Sequence, residues 1–321
     1  MAVIFGRNTF VVPGLESTYG SAGSYNTNAN KVISTTLARS QQRDGRSSLS
    51  TSDGAIRKGF YDTFEETGGN LTIPVCYDGI GTFLKCMVGT VTTSSLGGPD
   101  YLHEYKSNTT DLDSFSLKLQ RGSDSTSGRE DFLGLKVSTA SISVEAGGEM
   151  TLSMELIGKT ADARTTGITG ETFSTAEQVY HYEGSTLTFN GVSYNIRSLN
   201  LNIDNKLSRR NVLGSRQTLS PDVTDFREAT MQVDLDLEDN NLYNAMLNKT
   251  ESTLTCQFTQ EGSTNFIELQ FLNSIITDYD DSISTVGRIT RSVTFTALAG
   301  ASSEALRISV RNTNSSGTDN P

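Results

Sequence analysis

The side chains in this chain that could do chemistry are few, and their spacing matches no catalytic or metal-site pattern. The two histidines, His103 and His181, lie among tyrosines in the polar segments "YLHEY" and "YHYEG". A catalytic or metal-binding histidine needs a nucleophile or further ligands at a defined spacing, and neither segment supplies them. We therefore expect both histidines to be surface residues at strand edges.

The stretch "YDGIGTF" at residues 77–83 is the best candidate for a cofactor loop, because it follows an alternating strand and opens a helix. A dinucleotide-binding loop has the pattern GxGxxG, and the third glycine would fall at Leu84. No parallel strand–helix–strand pattern follows. The stretch therefore predicts a turn and a helix start, with no cofactor.

The sequence also contains no pattern typical of a metal site or of reactive cysteines. The acidic group "TDYDDSIS" at 277–284 lacks the glycine and the later glutamate of a calcium loop, so it predicts a solvated strand or turn. The three cysteines, Cys76, Cys86 and Cys256, have no CxxC spacing, which indicates neither a zinc site nor a disulfide framework. We predict that the protein is not an enzyme and holds no metal.

Composition limits the possible partners and suggests many short strands. The net charge of −11 argues against a protein that grips nucleic acid over a broad surface, although it does not exclude one that lets DNA pass. No apolar run is long enough to span a bilayer, and "MAVIFGRNTFVVPG" does not have the pattern of a signal peptide. The 29 glycines and the many polar turn residues favour a mainly β fold.

Two stretches 160 residues apart, at 70–90 and 230–250, share a pattern. In each, apolar residues alternate as in a half-buried strand and then recur at helical spacing. The strand positions are Leu71, Ile73, Val75 and Tyr77, matched by Met231, Val233, Leu235 and Leu237. The helix positions are Ile80, Phe83, Leu84 and Met87, matched by Tyr243, Met246 and Leu247. Each stretch therefore predicts a strand followed by a short helix.

Residue types at the ends of these helices also match. Asp78 and the pair Glu238–Asp239 stand where a helix start favours carboxylates, and Gly89 and Asn248 stand where a helix can end. Because similar segments also precede and follow each unit in the same order, we predict a tandem duplication. The predicted regions are a first domain at 1–160, a linker at 161–178, a second domain at 179–300, and a partly disordered strand and tail at 301–321.

A polar arm precedes each strand–helix unit, at 31–52 and at 205–220. Both arms are basic in an acidic chain. Their basic residues are Lys31, Arg39, Arg43 and Arg46 in the first arm, and Lys206, Arg209, Arg210 and Arg216 in the second. Either the arms are solvated loops, or they dock on an acidic face of a neighbouring subunit, where opposite charges would set the register.

The strand "MQVDLDL" places acidic residues on one face. Its apolar residues fill one side and leave Asp234 and Asp236 on the other. Such a face either meets solvent or lines a water-filled lumen, where carboxylates would repel the phosphates of passing DNA.

With this organisation, the chain resembles the major tail tube proteins of long-tailed, siphovirus-type bacteriophages. The resemblance rests on "VVPGLESTYGSA" at 11–22, the polar arm from Asn30, the strand–helix unit at 71–88 and "RSVTFTALAG" at 291–300. It implies β-sandwich or barrel domains, each with one flanking helix, whose sheets join into a closed ring. It also implies that a long loop reaches the next ring, and we expect the two arms to make this contact through the basic residues named above.

The family norm is six tube domains per ring, so a duplicated chain would form a trimeric, pseudo-hexameric ring. If the duplication is false, the expectation becomes a hexamer of chains with one tube and one decoration domain. The resemblance implies a virion tail component, assembled in the host cytoplasm, that encloses the tape-measure protein. Its other partners would be tail terminator and tail-tip proteins, and double-stranded DNA that passes without specific binding; no membrane is implied. The alternatives are the inner tube of a contractile tail, tailocin or secretion-system-like apparatus, and a secreted β-rich adhesin.

Overall fold

The computed structural model describes residues 8–26, 28–45, 60–107, 111–122, 126–168, 172–173, 179–236, 240–260, 262–280, 290–299 and 304–318. The elements up to residue 161 are β1 (Phe10–Leu15), β2 (Ser24–Tyr25), β3 (Asn28–Lys31), β4 (Ser34–Thr35), β5 (Ala38–Gly45), β6 (Phe60–Pro74), α1 (Gly81–Val88), β7 (Thr90–Ser95), β8 (Tyr101–Lys106), β9 (Phe115–Gln120), β10 (Arg129–Glu145), β11 (Thr151–Gly158) and β12 (Thr160–Ala161). The later elements are β13 (Thr172–Phe173), β14 (Ser185–Phe189), β15 (Val192–Tyr194), β16 (Ile196–Asp204), β17 (Leu207–Arg210), β18 (Leu219–Val223), β19 (Glu228–Asp236), α2 (Asn241–Leu247), β20 (Ser252–Thr259), β21 (Phe266–Tyr279), β22 (Thr290–Ala297) and β23 (Leu306–Asn312). The predicted mainly β fold with short flanking helices is confirmed.

Eight antiparallel strands form one continuous sheet that runs through both halves of the chain. Their order is β4–β6–β11–β10–β16–β19–β22–β21, so the first half supplies four strands and the second half supplies the other four. Residues alternate between the two faces, as buried Leu71 and Ile73 do with partly exposed Thr72. One face therefore covers the core, while the other is polar.

A second layer of strands covers the core on its other side, and the long strands β10 and β21 belong to both layers. The first part of β10 pairs with β9, and its later part pairs with β11. In the same way, the first part of β21 pairs with β20, and its later part pairs with β22. In β10 the change lies next to an irregular register between Phe132 and Leu135, where Gly134 has φ +69°. A side chain there would also meet Lys159 Cβ at 2.7 Å, so this bend requires glycine.

The two halves have the same strand order. In the first half β1, β9, β10, β11 and β6 are successive neighbours, and in the second half β14, β20, β21, β22 and β19 are. Helix α1 starts at Gly81 and α2 at Asn241, which are 160 positions apart. Both predicted strand–helix units are therefore present as elements.

The two helices differ in how deeply they are buried. Phe83, Leu84 and Met87 of α1 are buried as predicted, whereas Leu242 is the buried residue of α2. The prediction that Leu247 lies on a packed apolar face of α2 was wrong, because this side chain is 59% exposed. The reason is that α1 packs against β1, β8, β10 and β23, while the main contact of α2 is with β21.

The helices end where predicted, but α1 does not start as predicted. Gly89, at φ +143°, and Asn248 are the C-caps. The N-cap of α1 is Ile80, so the predicted carboxylate cap at Asp78 was wrong, because a turn at Gly79 (φ +88°) separates Asp78 from the helix. Burial raises the pKa of Asp78, and only the neighbouring His103 opposes this. Glu238 and Asp239, predicted at the start of α2, lie outside the described residues, as does Leu237.

The halves meet where β16 pairs with β10, beside the partly buried Arg227. Arg227 donates hydrogen bonds to the carbonyls of Met87 (3.3 Å) and Val88 (2.8 Å) at the end of α1, and to Asn205 Oδ1 (2.8 Å). Asn205 in turn donates to the carbonyl of Val137 at 2.9 Å. The last carbonyls of a helix lack partners and favour a cation, so residues of the second half complete α1. Burial lowers the pKa of Arg227 to about 10, which leaves it charged at neutral pH.

The C-terminal strand β23 also joins the halves, because it pairs with β21 on one side and β8 on the other. Residues 313–318 then pack against the first half, where Tyr105 Oη donates to the Gly317 carbonyl at 2.8 Å. This segment covers His103, which is 1% exposed and bonded to Thr93 Oγ1 (2.8 Å) and Asn312 Oδ1 (3.0 Å). The predicted surface position of His103 was therefore wrong, because a strand distant in sequence buries it. Residues 319–321 lie outside the described residues.

We expect Arg227→Ala to lower the free energy of unfolding by about 1–3 kcal/mol, because it leaves the carbonyls of Met87 and Val88 without their donor. Denaturant unfolding followed by circular dichroism measures this change. Arg164→Ala is the control: Arg164 is 57% exposed and 3.6 Å from Glu130, so its loss should cost less than about 0.5 kcal/mol. Equal losses in the two variants would contradict a capping role for Arg227.

Candidate functional site: the polar sheet face and the two arms

The outer face of the eight-stranded sheet is polar, with Pro74 and Ile275 as the apolar exceptions in the rows described next. Residues that are paired across strands share a face, so the registers define rows of side chains. Three of these rows are Asn70–Glu155–Thr139–Asp204–Glu228, Thr72–Ser153–Ser141–Asn202–Thr230–Thr296–Ile275 and Pro74–Thr151–Ser143–Asn200–Gln232–Thr294–Asp278. Over β4, β6, β11, β10 and β16 this face borders a shallow depression of about 430 Å³. We call it the polar sheet face.

The charged side chains in these rows are carboxylates. They are Glu155, Asp204, Glu228 and Asp278, and the next row adds Glu145 and Asp234. Among the described residues, the nearest cations lie beside the rows; Lys206 Nζ, for example, is 2.6 Å from Asp204 Oδ2. Although partial burial raises the pKa of Asp204, its hydrogen bonds with Lys206 outweigh this and lower it. The carboxylates of such a face repel phosphates, and its described rows contain no cation to attract them.

The structure places both predicted lumen residues on the polar sheet face. Asp234 accepts a hydrogen bond from Ser198 Oγ at 2.7 Å, and Asp236 lies 3.6 Å from Arg197 Nε. Whether they line a lumen remains a prediction. Glu145 and Glu155 were missed, because only the strand register shows that they share this face with Asp234.

The first arm contains β5 paired with the start of β6, and its basic residues have partners within the chain. Arg39 Nη2 lies 3.0 Å from Glu65 Oε2, and Arg43 Nε lies 2.9 Å from Asp62 Oδ1. Lys31 Nζ lies 5.9 Å from the centre of the Phe173 ring. Residues 46–59, which include the candidate Arg46, lie outside the described residues.

The second arm is the two-stranded pair β17–β18, and it lies against the first arm. Arg209 Nη2 donates to the carbonyl of Thr67 at 2.9 Å, and Arg216 Nη1 lies 3.0 Å from Asp62 Oδ2. Arg210 pairs with Asp222 at 3.1 Å, while Lys206 contacts Asp204 and Glu228. The structure thus brings Arg43 of the first arm and Arg216 of the second together at Asp62, while the other predicted arm residues that the structure describes have separate partners. Docking of these residues on a neighbouring subunit remains a prediction.

Apolar side chains are also exposed on the second arm and near the arms in sequence, and the charge pattern did not indicate them. Leu213, between β17 and β18, is fully exposed, Phe226 is 90% exposed, and Phe60 is 67% exposed. An exposed apolar side chain of this size becomes favourable when a neighbouring subunit covers it. The signal in the sequence was the pair Val212–Leu213 within a polar, basic segment.

The described residues carry little that suggests chemistry. They contain no group of three or more His, Cys, Asp or Glu side chains that could hold a metal ion. Cys86 and Cys256 are buried, and burial raises the pKa of both thiols. None of the helices in the described part of the chain is long and apolar enough to cross a membrane.

One comparison with known proteins gives a match. A family model described as "Phage tail tube protein" matches residues 6–297, a span that includes both arms and all eight strands of the continuous sheet. No curated protein matches the chain.

We expect Arg209→Ala to loosen the second arm, because the side chain fixes β17 to β6 through the Thr67 carbonyl. Loss of one such bond costs about 1 kcal/mol, which corresponds to roughly fivefold faster amide hydrogen exchange across residues 207–223. Arg210→Ala is the matched control, because Arg210 and Asp222 are both more than half exposed and the pair contributes little. Equal exchange in the two variants would show that Arg209 does not anchor the arm.

Proposed function

Since this chain belongs to the phage tail tube protein family and is a structural component of the phage tail, we propose that three copies form a ring and that rings stack into the tube of a long, siphovirus-type tail. The observation that carries this proposal is the continuous sheet. Four strands from each half follow one another in equivalent order, as two tube domains side by side in a ring would. The shared order supports a tandem duplication, and six domains per ring then require three chains.

The polar sheet face is the proposed lining of the lumen. Its opposite face is buried in the core, so the polar face must meet water or a transient occupant. Carboxylates repel DNA phosphates, and the neutral hydroxyl side chains between them supply no counter-charge. The tube would therefore enclose the tape-measure protein and later conduct double-stranded DNA into the host without retaining it.

The two arms are the proposed contacts between stacked rings. Both extend from the same end of the sheet, beyond the row that runs from Asn70 to Glu228. Their exposed apolar residues, together with the predicted basic residues, would contact the next ring. At the two ends of the tube, a terminator and tail-tip proteins would occupy the same surfaces, and assembly would take place in the host cytoplasm.

Leu213→Asp tests the stacking role of the second arm. Purified wild-type protein should form tubes in negative-stain electron microscopy, whereas the variant should form rings that do not stack, because a carboxylate replaces an exposed apolar contact. Leu96→Asp in the turn between β7 and β8 is the control, with 46% exposure and the same change of side chain. Tubes of normal length with Leu213→Asp would refute the stacking role. Wild-type protein that stays monomeric at high concentration would refute tube formation.

Asp234→Lys tests the lumen assignment. Tubes of this variant should retain double-stranded DNA at low salt, and the slope of log affinity against log salt should steepen by about one for each lysine that engages a phosphate. The control is Glu183→Lys, which makes the same charge change at an exposed loop residue outside the rows of the polar sheet face. Equal DNA retention by the two variants would show that Asp234 does not face the lumen.

A further inference from the structure

The continuous sheet has two edges to which a further strand can be added. At one edge, residues 33–36 pair with β6 on one side, and at the other, residues 275–278 pair with β22 on one side. In the part of the chain that the structure describes, no strand lies on the other side of either segment. We propose that these edges pair with each other between copies of this chain, antiparallel and in the register of the β10–β16 joint. The proposal rests on the ring proposed above and specifies its contact.

The joint within the chain supplies the template. There the last part of β10 pairs with β16, so a strand edge of the first half meets a strand edge of the second. The last part of β21 is the equivalent in the second half of the last part of β10 in the first half. In the first half β10 pairs with β11, and in the second half β21 pairs with β22, the equivalent of β11. Residues 33–37 occupy the place of β16, because each lies beside the strand that precedes the helix. Open edges are otherwise a liability, and ring closure would pair them.

The template fixes the register between copies. Leu71 and Met231 are equivalent positions, and the registers that pass through them relate Ala140 to Ile276. By the same registers, Leu37 is the position equivalent to Ile203, and Thr36 is the position equivalent to Asn202. The pairs within the chain are Ala140–Ile203, Ser141–Asn202 and Ile142–Leu201. The corresponding pairs between copies are Ile276–Leu37, Asp278–Thr36 and Tyr279–Thr35, with the irregularity of β21 between Ile276 and Asp278.

The side chains at these positions suit the proposed pairing. Ile276 and Leu37 are both buried on the core side, as Ala140 and Ile203 are in the template, so the core would continue from one copy to the next. Asp278 and Thr36 are exposed and lie on the polar side, where Ser141 and Asn202 lie in the template. A shift by one residue would place a polar side chain of one strand against the core, which would be costly.

A separate observation points to the same contact. At the joint within the chain, the end of α1 is covered by the second half, and Met87 is fully buried. The equivalent residue of α2 is Leu247, which is 59% exposed in a single chain. In the proposed ring, the next copy would cover the end of α2 as Asn205 and Arg227 cover the end of α1.

The test is a disulfide between copies. Thr36→Cys and Asp278→Cys are combined in a chain carrying Cys76→Ser, because the other two native cysteines are buried. Directly paired strand residues lie within the roughly 4.4–6.8 Å between Cα atoms that a disulfide spans. Mild oxidation of assembled rings should convert most of the chain into covalent dimers and closed trimers, seen on non-reducing gels.

Two control pairs calibrate the result. Ser141→Cys with Asn202→Cys reproduces the template and should form a disulfide within one chain. Thr36→Cys with Gln232→Cys uses the same face, but Gln232 lies two strands inside the β21 edge, about 10 Å away, so little cross-link should form. If wild-type protein forms tubes but the Thr36→Cys/Asp278→Cys variant forms no cross-link, the register would be overturned but not the tube function. A ladder that reaches six chains would overturn the three-copy ring.

Discussion

Backbone hydrogen bonding at strand edges is the constraint on which the rest of this structure depends. Each half of the chain builds a four-stranded segment with two edges, and an edge strand presents unpaired N–H and C=O groups along its length. The β10–β16 joint pairs one edge of each half, so that two small sheets become one sheet of eight strands. The core is continuous across this joint, because Ala140, Ile203 and their neighbours are buried on its inner side. The contact between the two arms, the continuity of the polar sheet face and the contacts at the end of α1 all depend on this pairing.

Equivalent strand order does not make the two halves equivalent in burial. The first half is covered by α1, by β7 and β8, and by residues 313–318, which return from the far end of the chain. The second half is covered less, and Leu247 on α2 remains largely exposed where Met87 on α1 is buried. The difference arises at the joint, because Asn205 and Arg227 satisfy the end of α1 and α2 has no such cover within the described residues. A single chain is therefore covered at one end and open at the other, which is the arrangement that the proposed ring would require.

The sequence predicted the local elements well because their patterns are local. The alternation from Leu71 to Tyr77, the helical spacing from Ile80 to Met87 and the stop at Gly89 all depend on neighbouring residues. The contacts between distant segments could not be predicted in the same way. His103 stands in an alternating polar strand, and only the arrival of β23 some 200 residues later buries it. The partners of Arg39, Arg43 and Arg216 were likewise hidden, because Glu65 and Asp62 approach them only when β6 pairs with β5 and the second arm crosses to the first.

The distribution of charge follows from the same geometry. In the described part of the arms, most arginines have carboxylate partners within the chain, and exposed apolar side chains such as Leu213 lie beside these ion pairs. On the polar sheet face, carboxylates from both halves fall into shared rows, and Lys206 and Arg197 offset only those beside them. The net charge of −11 is thus unevenly distributed over the surface. Opposite charges pair in the arms, where subunits would touch, whereas carboxylates remain in excess on the polar sheet face. A surface of this kind favours passage of a polyanion over binding, because attraction would require cations that the rows do not contain.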